Sequence, residues 1–265
     1  MSELVLTEKT GRVLTLTLNR PEALNALNQQ SIRELRKAIE AGARDSAIGC
    51  LILTGAGRAF CAGADLREVS ARYQAGDTEL GEDLRRNYAP LIRSIRACPK
   101  PVIAAINGTA AGAGLSLALA CDLRIAVAKA ELIVVFIRVG LVPDAGSLFF
   151  LTRTFGFSKA AEMALTGDPM TVEEAQKLGA IAAVVPSEQL MPAALEQARQ
   201  MAAGPATTYG LIKHGLERAM SLDLEQSLEL ESHLQTLAAR TPDHQEAVAA
   251  FLEKRKPVFG KERAG

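Results

Sequence analysis

Three features of the sequence carry residue types suited to chemistry. Two are stretches of small residues, Ala62-Gly63-Ala64 and Gly112-Ala113-Gly114. Each follows a strand-like apolar run and leads into a helix-like segment. Small side chains let a ligand approach the main chain closely. Free N–H groups at a helix start attract negative charge. Two such loops converging on one point would form an oxyanion hole from two backbone donors. The same composition also suits tight packing of helix on strand, and the residues alone leave both readings open. The third feature is Asp144, flanked in sequence by Val139, Leu141, Val142, Leu148 and Phe149. A carboxylate in apolar company has its pKa raised, as a general base working near neutrality requires. An Asp after Pro and ahead of a helix is also a good N-cap, and taken alone that is the simpler role.

Other motifs fail on spacing. Gly55-Ala56-Gly57 follows a strand, but Phe60 stands where a dinucleotide fingerprint needs a glycine, and Gly112 and Gly114 lead to Leu117. No GxxxxGK[ST] and no GxSxG occurs. Ser116 sits in an apolar run and reads as core. His214, His233 and His244 lie on polar helical segments without ligand-spaced partners. No metal site is expected. Cys61 reads as a small buried hydrophobe. The run Lys254-Arg255-Lys256 reads as a solvated face that could meet ligand phosphates.

Elements must position these residues. The 265 residues make one large domain or two modest ones. Hydrophobic residues are 48%, enough for a sizeable core. Thirty basic and thirty acidic residues balance, which argues against nucleic-acid binding. No apolar run approaches a membrane span, and the N-terminus has no signal-peptide pattern. Four unpatterned cysteines suit a reducing cytoplasm.

Residues 12–18 alternate as a half-buried strand, and Asn28 can cap a helix with Ile32, Leu35 and Ile39 on its apolar face. Residues 50–54 and 102–106 are buried-strand runs ending at glycine-rich turns. Residues 58–66 read as a loop opening a helix, and 67–97 as mostly helical. Residues 123–127 form a further strand. Strand, turn and helix thus recur, which is α/β logic. After about residue 157 the chain turns helical, with a capping-box pattern at Thr171 and Glu174. Four amphipathic helices follow from residue 188. The division expected is a core at 1–195 and a helical region at 196–265.

In order along the chain, NRPEALNAL (19–27), GRAFCAGADL (57–66), KPVIAAING (100–108), AGAG (111–114), ACD (120–122), LTG (165–167) and the stretch 175–186 together resemble the crotonase, or enoyl-CoA hydratase/isomerase, superfamily. The resemblance implies an α/β fold: a ββα spiral core whose C-terminal helices build a homotrimer or a hexamer of two trimers. It implies an acyl-CoA thioester substrate, with coenzyme A arriving as part of that substrate rather than as a cofactor. The family's oxyanion donors fall on the N–H groups of Ala64 and Ala113. Its coenzyme A contacts fall on Ala23, Leu24, Ala26, Ala62, Asp65, Leu66 and Gly112, with Phe251 and Lys254 from the C-terminal helix.

One departure is informative. The two glutamates of typical hydratases are replaced by Ser116 and Phe136. Asp144 instead matches an acid of the branch that resembles ring-1,2-epoxyphenylacetyl-CoA isomerases and Δ3,Δ2-enoyl-CoA isomerases. The implied activity is an isomerase with Asp144 as proton shuttle, in an apolar lining of Val134, Val135, Phe136 and Leu141. A hydratase holding water on Ser116 and a catalytically silent acyl-CoA-binding subunit are the alternatives.

Overall fold

The alternation at 12–18 folds as β2 (Val13–Leu18), paired antiparallel with β1 (Val5–Thr10) in a computed structural model that describes residues 3–260. The apolar runs become β3 (Cys50–Gly55) and β5 (Val102–Ile106), buried along their whole length. Short strands β4 (Ala59–Cys61) and β6 (Thr109–Ala111) follow them directly. Then come β7 (Leu123–Val127), β8 (Glu131–Ile133), β9 (Pro169–Thr171) and β10 (Ala183–Val185). One sheet has the order β1-β2-β3-β5-β7-β10, and a smaller one β4-β6-β8-β9.

The helices are α1 (Gln29–Arg44), α2 (Leu66–Gln74), α3 (Leu80–Asp83), α4 (Ala89–Arg96), α5 (Ala113–Ala120) and α6 (Ser147–Thr166). After them come α7 (Val172–Lys177), α8 (Leu190–Ala202), α9 (Ala206–Ala219), α10 (Leu224–Ala239) and α11 (Pro242–Leu252). A unit therefore repeats: one strand in the large sheet, a sharp turn, a short strand in the small sheet, then helix. It runs β3-β4-α2, β5-β6-α5 and β7-β8-α6. This is the ββα spiral. Parallel strands such as β3 and β5 need cover on both faces. Helix α8 packs on β3, β5 and β7, and α1 on β2. Asn28 closes a capping box on α1, whose buried face carries Ile32, Leu35 and Ile39 as its spacing predicts.

Two expectations need correction. The stretch 58–66 is not all loop, because β4 lies within it. The region after 157 is not all helix, since β9 and β10 interrupt it. Each of these strands has three residues, too few for a period of two to show in sequence. At Thr171 the hydroxyl accepts the Glu174 N–H at 3.2 Å, the capping half of the expected pattern. The position 195/196 falls inside α8, which is seated on the sheet; after it, α9 and α10 have no buried residue. Among the described residues no helix is long and apolar enough to cross a membrane.

Candidate active site

The spiral brings the two small-residue loops together. Strands β4 and β6 are parallel neighbours, so their C-terminal ends lie on the same edge. Loop 62–65 leaves one end and Gly112 the other. A Cβ at Gly63, where φ is +98°, would stand 2.9 Å from the Ala111 oxygen and 3.4 Å from the Ala113 nitrogen. A Cβ at Gly114 would collide with the Cys61 carbonyl. Both positions need glycine for this approach. The hydrogen bonds of the first loop leave the Gly63 and Ala64 N–H groups without a backbone acceptor, and the Gly63 N–H faces the Cys61 sulfur. The Ala62 N–H donates to Leu24 (3.0 Å), the Leu27 N–H to Gly63 (2.7 Å), and the Asp65 N–H to Leu27 (2.9 Å). In the second loop the Gly112 N–H donates to Ile133 (2.9 Å). The N–H groups of Ala64 and Ala113 have no acceptor among the described residues. Ala113 opens α5, where unpaired N–H groups carry partial positive charge.

Asp144 lies between the 3-10 turn Val135–Val139 and α6. It is not the N-cap of α6: Gly146 is, in a left-handed conformation with no side-chain cap. Its Oδ1 is buried without a partner. Burial, and then the Asp83 carboxylate, push its pKa up to about 6. The burial does not come from its apolar neighbours in sequence, because Val139, Leu141, Val142, Leu148 and Phe149 are exposed. It comes from long-range packing. A Cβ at Gly146 would meet Phe150 and Ile92 of α4, and Ala145 packs on the core. The Asp144 main chain is tied to α5. Ser147 and Ser116 share a short hydroxyl–hydroxyl hydrogen bond, and the Ser116 hydroxyl donates to the Asp144 carbonyl at 3.2 Å. Val134 and Phe136 are buried; Val135 Cγ1 lies 3.2 Å from where a Gly112 Cβ would be.

The turn at 20–27 is knitted to the first loop. Leu24 and Asn25 both take positive φ. Asn25 donates to Ala56 (2.9 Å) and Ala59 (2.8 Å), while Arg20 donates to the Ala26 carbonyl (2.6 Å) and pairs with Asp65 (2.7 Å). Asp65 also caps α2. Ala23, Leu24, Ala26, Ala62, Asp65 and Leu66 thus gather at the two small-residue loops. Phe251 and Lys254 are not brought to them by any described hydrogen bond or ion pair. Phe251 is 82% exposed on α11.

The family model described as enoyl-CoA hydratase/isomerase matches residues 8–262. The chain belongs to this family. It is 42% identical over 259 residues to the 1,2-epoxyphenylacetyl-CoA isomerase of Escherichia coli K12, covering 98% of this chain and 99% of that one. It is 39% identical to the 2,3-dehydroadipyl-CoA hydratase of the same organism, covering 98% and 99%. The solved enoyl-CoA hydratase of Polaromonas sp. JS666 superposes with a TM-score of 0.91 at 33% identity, covering 97% and 99%. The crotonase fold and an enzyme of the hydratase/isomerase class follow.

Within this family member several site-shaping residues escape a reading of the sequence. Asn25 and Asn107 fix the turn ahead of β4; the Asn107 side chain accepts the Gly55 N–H (3.2 Å) and donates to Gly57 (3.0 Å) and Ala59 (3.1 Å). Asp83 and Tyr88 reach the Asp144 wall from a segment with no motif. Only the positive φ preference of Asn at turns offers a signal for Asn25.

Proposed function

We propose that the protein is an acyl-CoA isomerase. It shifts a double bond, or rearranges a ring epoxide, through a thioester enolate. The Ala64 and Ala113 N–H groups hold the developing oxyanion, and Asp144 carries the proton from one carbon to another. The observation that carries this reading is the buried, unpartnered Asp144 oxygen with its raised pKa, in a site where Ser116 and Phe136 stand at the two positions that match the hydratase glutamates. One carboxylate suffices, because the proton it removes is the one it returns. Its pKa near 6 leaves it ionised at neutral pH yet strong enough to take a carbon-bound proton beside a stabilised enolate. The apolar walls at Val134 and Phe136 keep water from the dienolate. The 42% identity to an epoxyphenylacetyl-CoA isomerase supports the isomerase over the hydratase. Ser116 supports it too, since it is fully buried and already engaged with Ser147 and Asp144.

The thioester's coenzyme A lies along the 20–27 turn and loop 62–66, held largely by main chain because the Asp65 carboxylate is already occupied. The exposed apolar faces of α9 and α10, with Ile212, Leu216, Leu224 and Leu228, pack on further copies to build a trimer or hexamer. Four free, buried cysteines suit a cytoplasmic setting.

Proton NMR of trans-3-enoyl-CoA in D2O tests the chemistry. The double bond is expected to move to the 2-position in the wild type, and Asp144→Asn is expected to lose about 10³-fold in kcat. Equal turnover by the Asn variant removes Asp144 from the mechanism. A 3-hydroxyacyl product identifies a hydratase.

A further inference from the structure

Tyr88 is a polar group of the Asp144 wall that the isomerase mechanism leaves unused. It closes a π-helical turn, Leu84–Tyr88, ahead of α4 and is 7% exposed. Such turns are rare and recur at functional sites. The placement is set by its helix. Ile92 lies four residues on, on the same face, and its Cγ2 is 3.7 Å from where a Cβ on Gly146 would stand. That face of α4 therefore looks at the Asp144 turn. Asp144 and, more weakly, Cys61 bear electrostatically on the Tyr88 phenol. Cys61 ends β4, immediately before the first oxyanion loop.

The hydroxyl has no hydrogen-bond partner among the described residues, yet its oxygen is not sealed from open space. Once a ligand covers it, this hydroxyl is costly to leave unpaired, so an acceptor on the ligand is favoured. Burial and the Asp144 charge both raise the phenol pKa, which keeps it protonated and able to donate. The network behind it is closed. Asp83 is held by Arg72 (3.1 Å), Gln29 (3.2 Å) and Asn87; its charge adds to the rise in the phenol pKa, but it makes no hydrogen bond to the phenol.

We propose that Tyr88 is a specificity residue that donates a hydrogen bond to an oxygen on the acyl group beside Asp144, so the site favours acyl-CoA thioesters oxygenated close to the thioester. This rests on the acyl-CoA reading above and narrows its substrate class. A plain hydrocarbon acyl group would bury the hydroxyl with no acceptor. An epoxide, carbonyl or hydroxyl oxygen accepts from it. Sites built to pair with a substrate oxygen discriminate against analogues lacking it.

Calorimetry on the intact protein tests this with two non-isomerising probes, 2-hydroxyphenylacetyl-CoA and phenylacetyl-CoA. The wild type is expected to bind the hydroxylated probe about tenfold more tightly, as one hydrogen bond allows. Tyr88→Phe keeps the ring and is expected to bring the two affinities within twofold of each other. A wild type without the preference overturns the proposal whatever the variant does. A preference that survives in Tyr88→Phe overturns it too. Because the readout is binding, it separates from the isomerase mechanism. An Asp144→Asn variant with undiminished turnover sinks that mechanism and leaves the Tyr88 contact standing, whereas a wild type that binds neither probe sinks both.

Discussion

In the proposed reaction the two small-residue loops supply the oxyanion donors and the Asp144 wall the base, and the two are built from different materials. The loops are main chain. Their chemistry is two N–H groups, and side chains matter there by being small, as at Gly63 and Gly114. The wall is side chain. Its chemistry is one carboxylate, carried on a turn whose main-chain carbonyl accepts from the Ser116 hydroxyl, which in turn pairs with Ser147. A backbone donor tolerates many residue types, while a carboxylate tolerates none but itself. One scaffold can therefore keep its oxyanion hole and change reactions by changing the wall. That explains how relatives named as isomerase and hydratase share about the same identity with this chain.

The contrast is broken most severely by removing a backbone donor without touching the wall. Ala113 is the first residue of α5, a position where proline fits a helix because its N–H has no helical acceptor. Gly112 before it has positive φ and no Cβ to clash. Ala113→Pro is expected to unfold within a few degrees of the wild type while kcat falls by 10²–10³. A melting curve alongside steady-state kinetics checks both. If kcat holds, the oxyanion donor lies elsewhere.

The wall answers to pH where the loops do not. Asp144 titrates at about 6 in the folded protein against a usual value of 3.8. The reaction needs the ionised form, so kcat/KM is expected to fall about tenfold per unit below pH 6. The folded state holds the extra proton between those two values, so this group's stabilising contribution declines as pH rises through that window. Above it the ionised, poorly solvated carboxylate opposes folding. Asp144→Asn is therefore expected to raise stability at pH 7 by about 2 kcal/mol while destroying activity. Urea unfolding at pH 4.5 and pH 7 measures it, and a variant less stable at pH 7 contradicts the burial cost.

The same division decides what the sequence reveals. Glycine and alanine stretches after apolar runs are local, so both loops and the strands ahead of them could be read directly. The capping box at Asn28 is equally local. Asp144 could be found, but not the reason for its burial. Its sequence neighbours, such as Val142 and Leu148, are exposed, and the residues packed on its turn arrive from α4 and α5. Tyr88 and Asp83 sit in a polar helical stretch and gain meaning only once a π-turn aims them. Three-residue strands such as β8 and β9 exist because a neighbouring strand pairs with them, which no local pattern encodes.

The smallest effect sharpens the comparison most, because it falls where the two walls join. Ser116 sits on α5, the helix of the second oxyanion loop, yet its hydroxyl serves Asp144. Were it to hold a reacting water, Ser116→Ala would abolish turnover. As a clamp, it has a lighter role, for the Asp144 carbonyl also accepts the Ser147 N–H at 2.8 Å. Ser116→Ala then leaves the Ser147 hydroxyl without its buried partner, at about 1–2 kcal/mol. Loosening the turn is expected to lower kcat by less than tenfold, with KM unchanged, since the carboxylate remains and only its aim is relaxed. Kinetics on the 3-enoyl thioester decide the matter. A thousandfold loss with normal stability would make Ser116 a chemical participant and place the reaction with the hydratases.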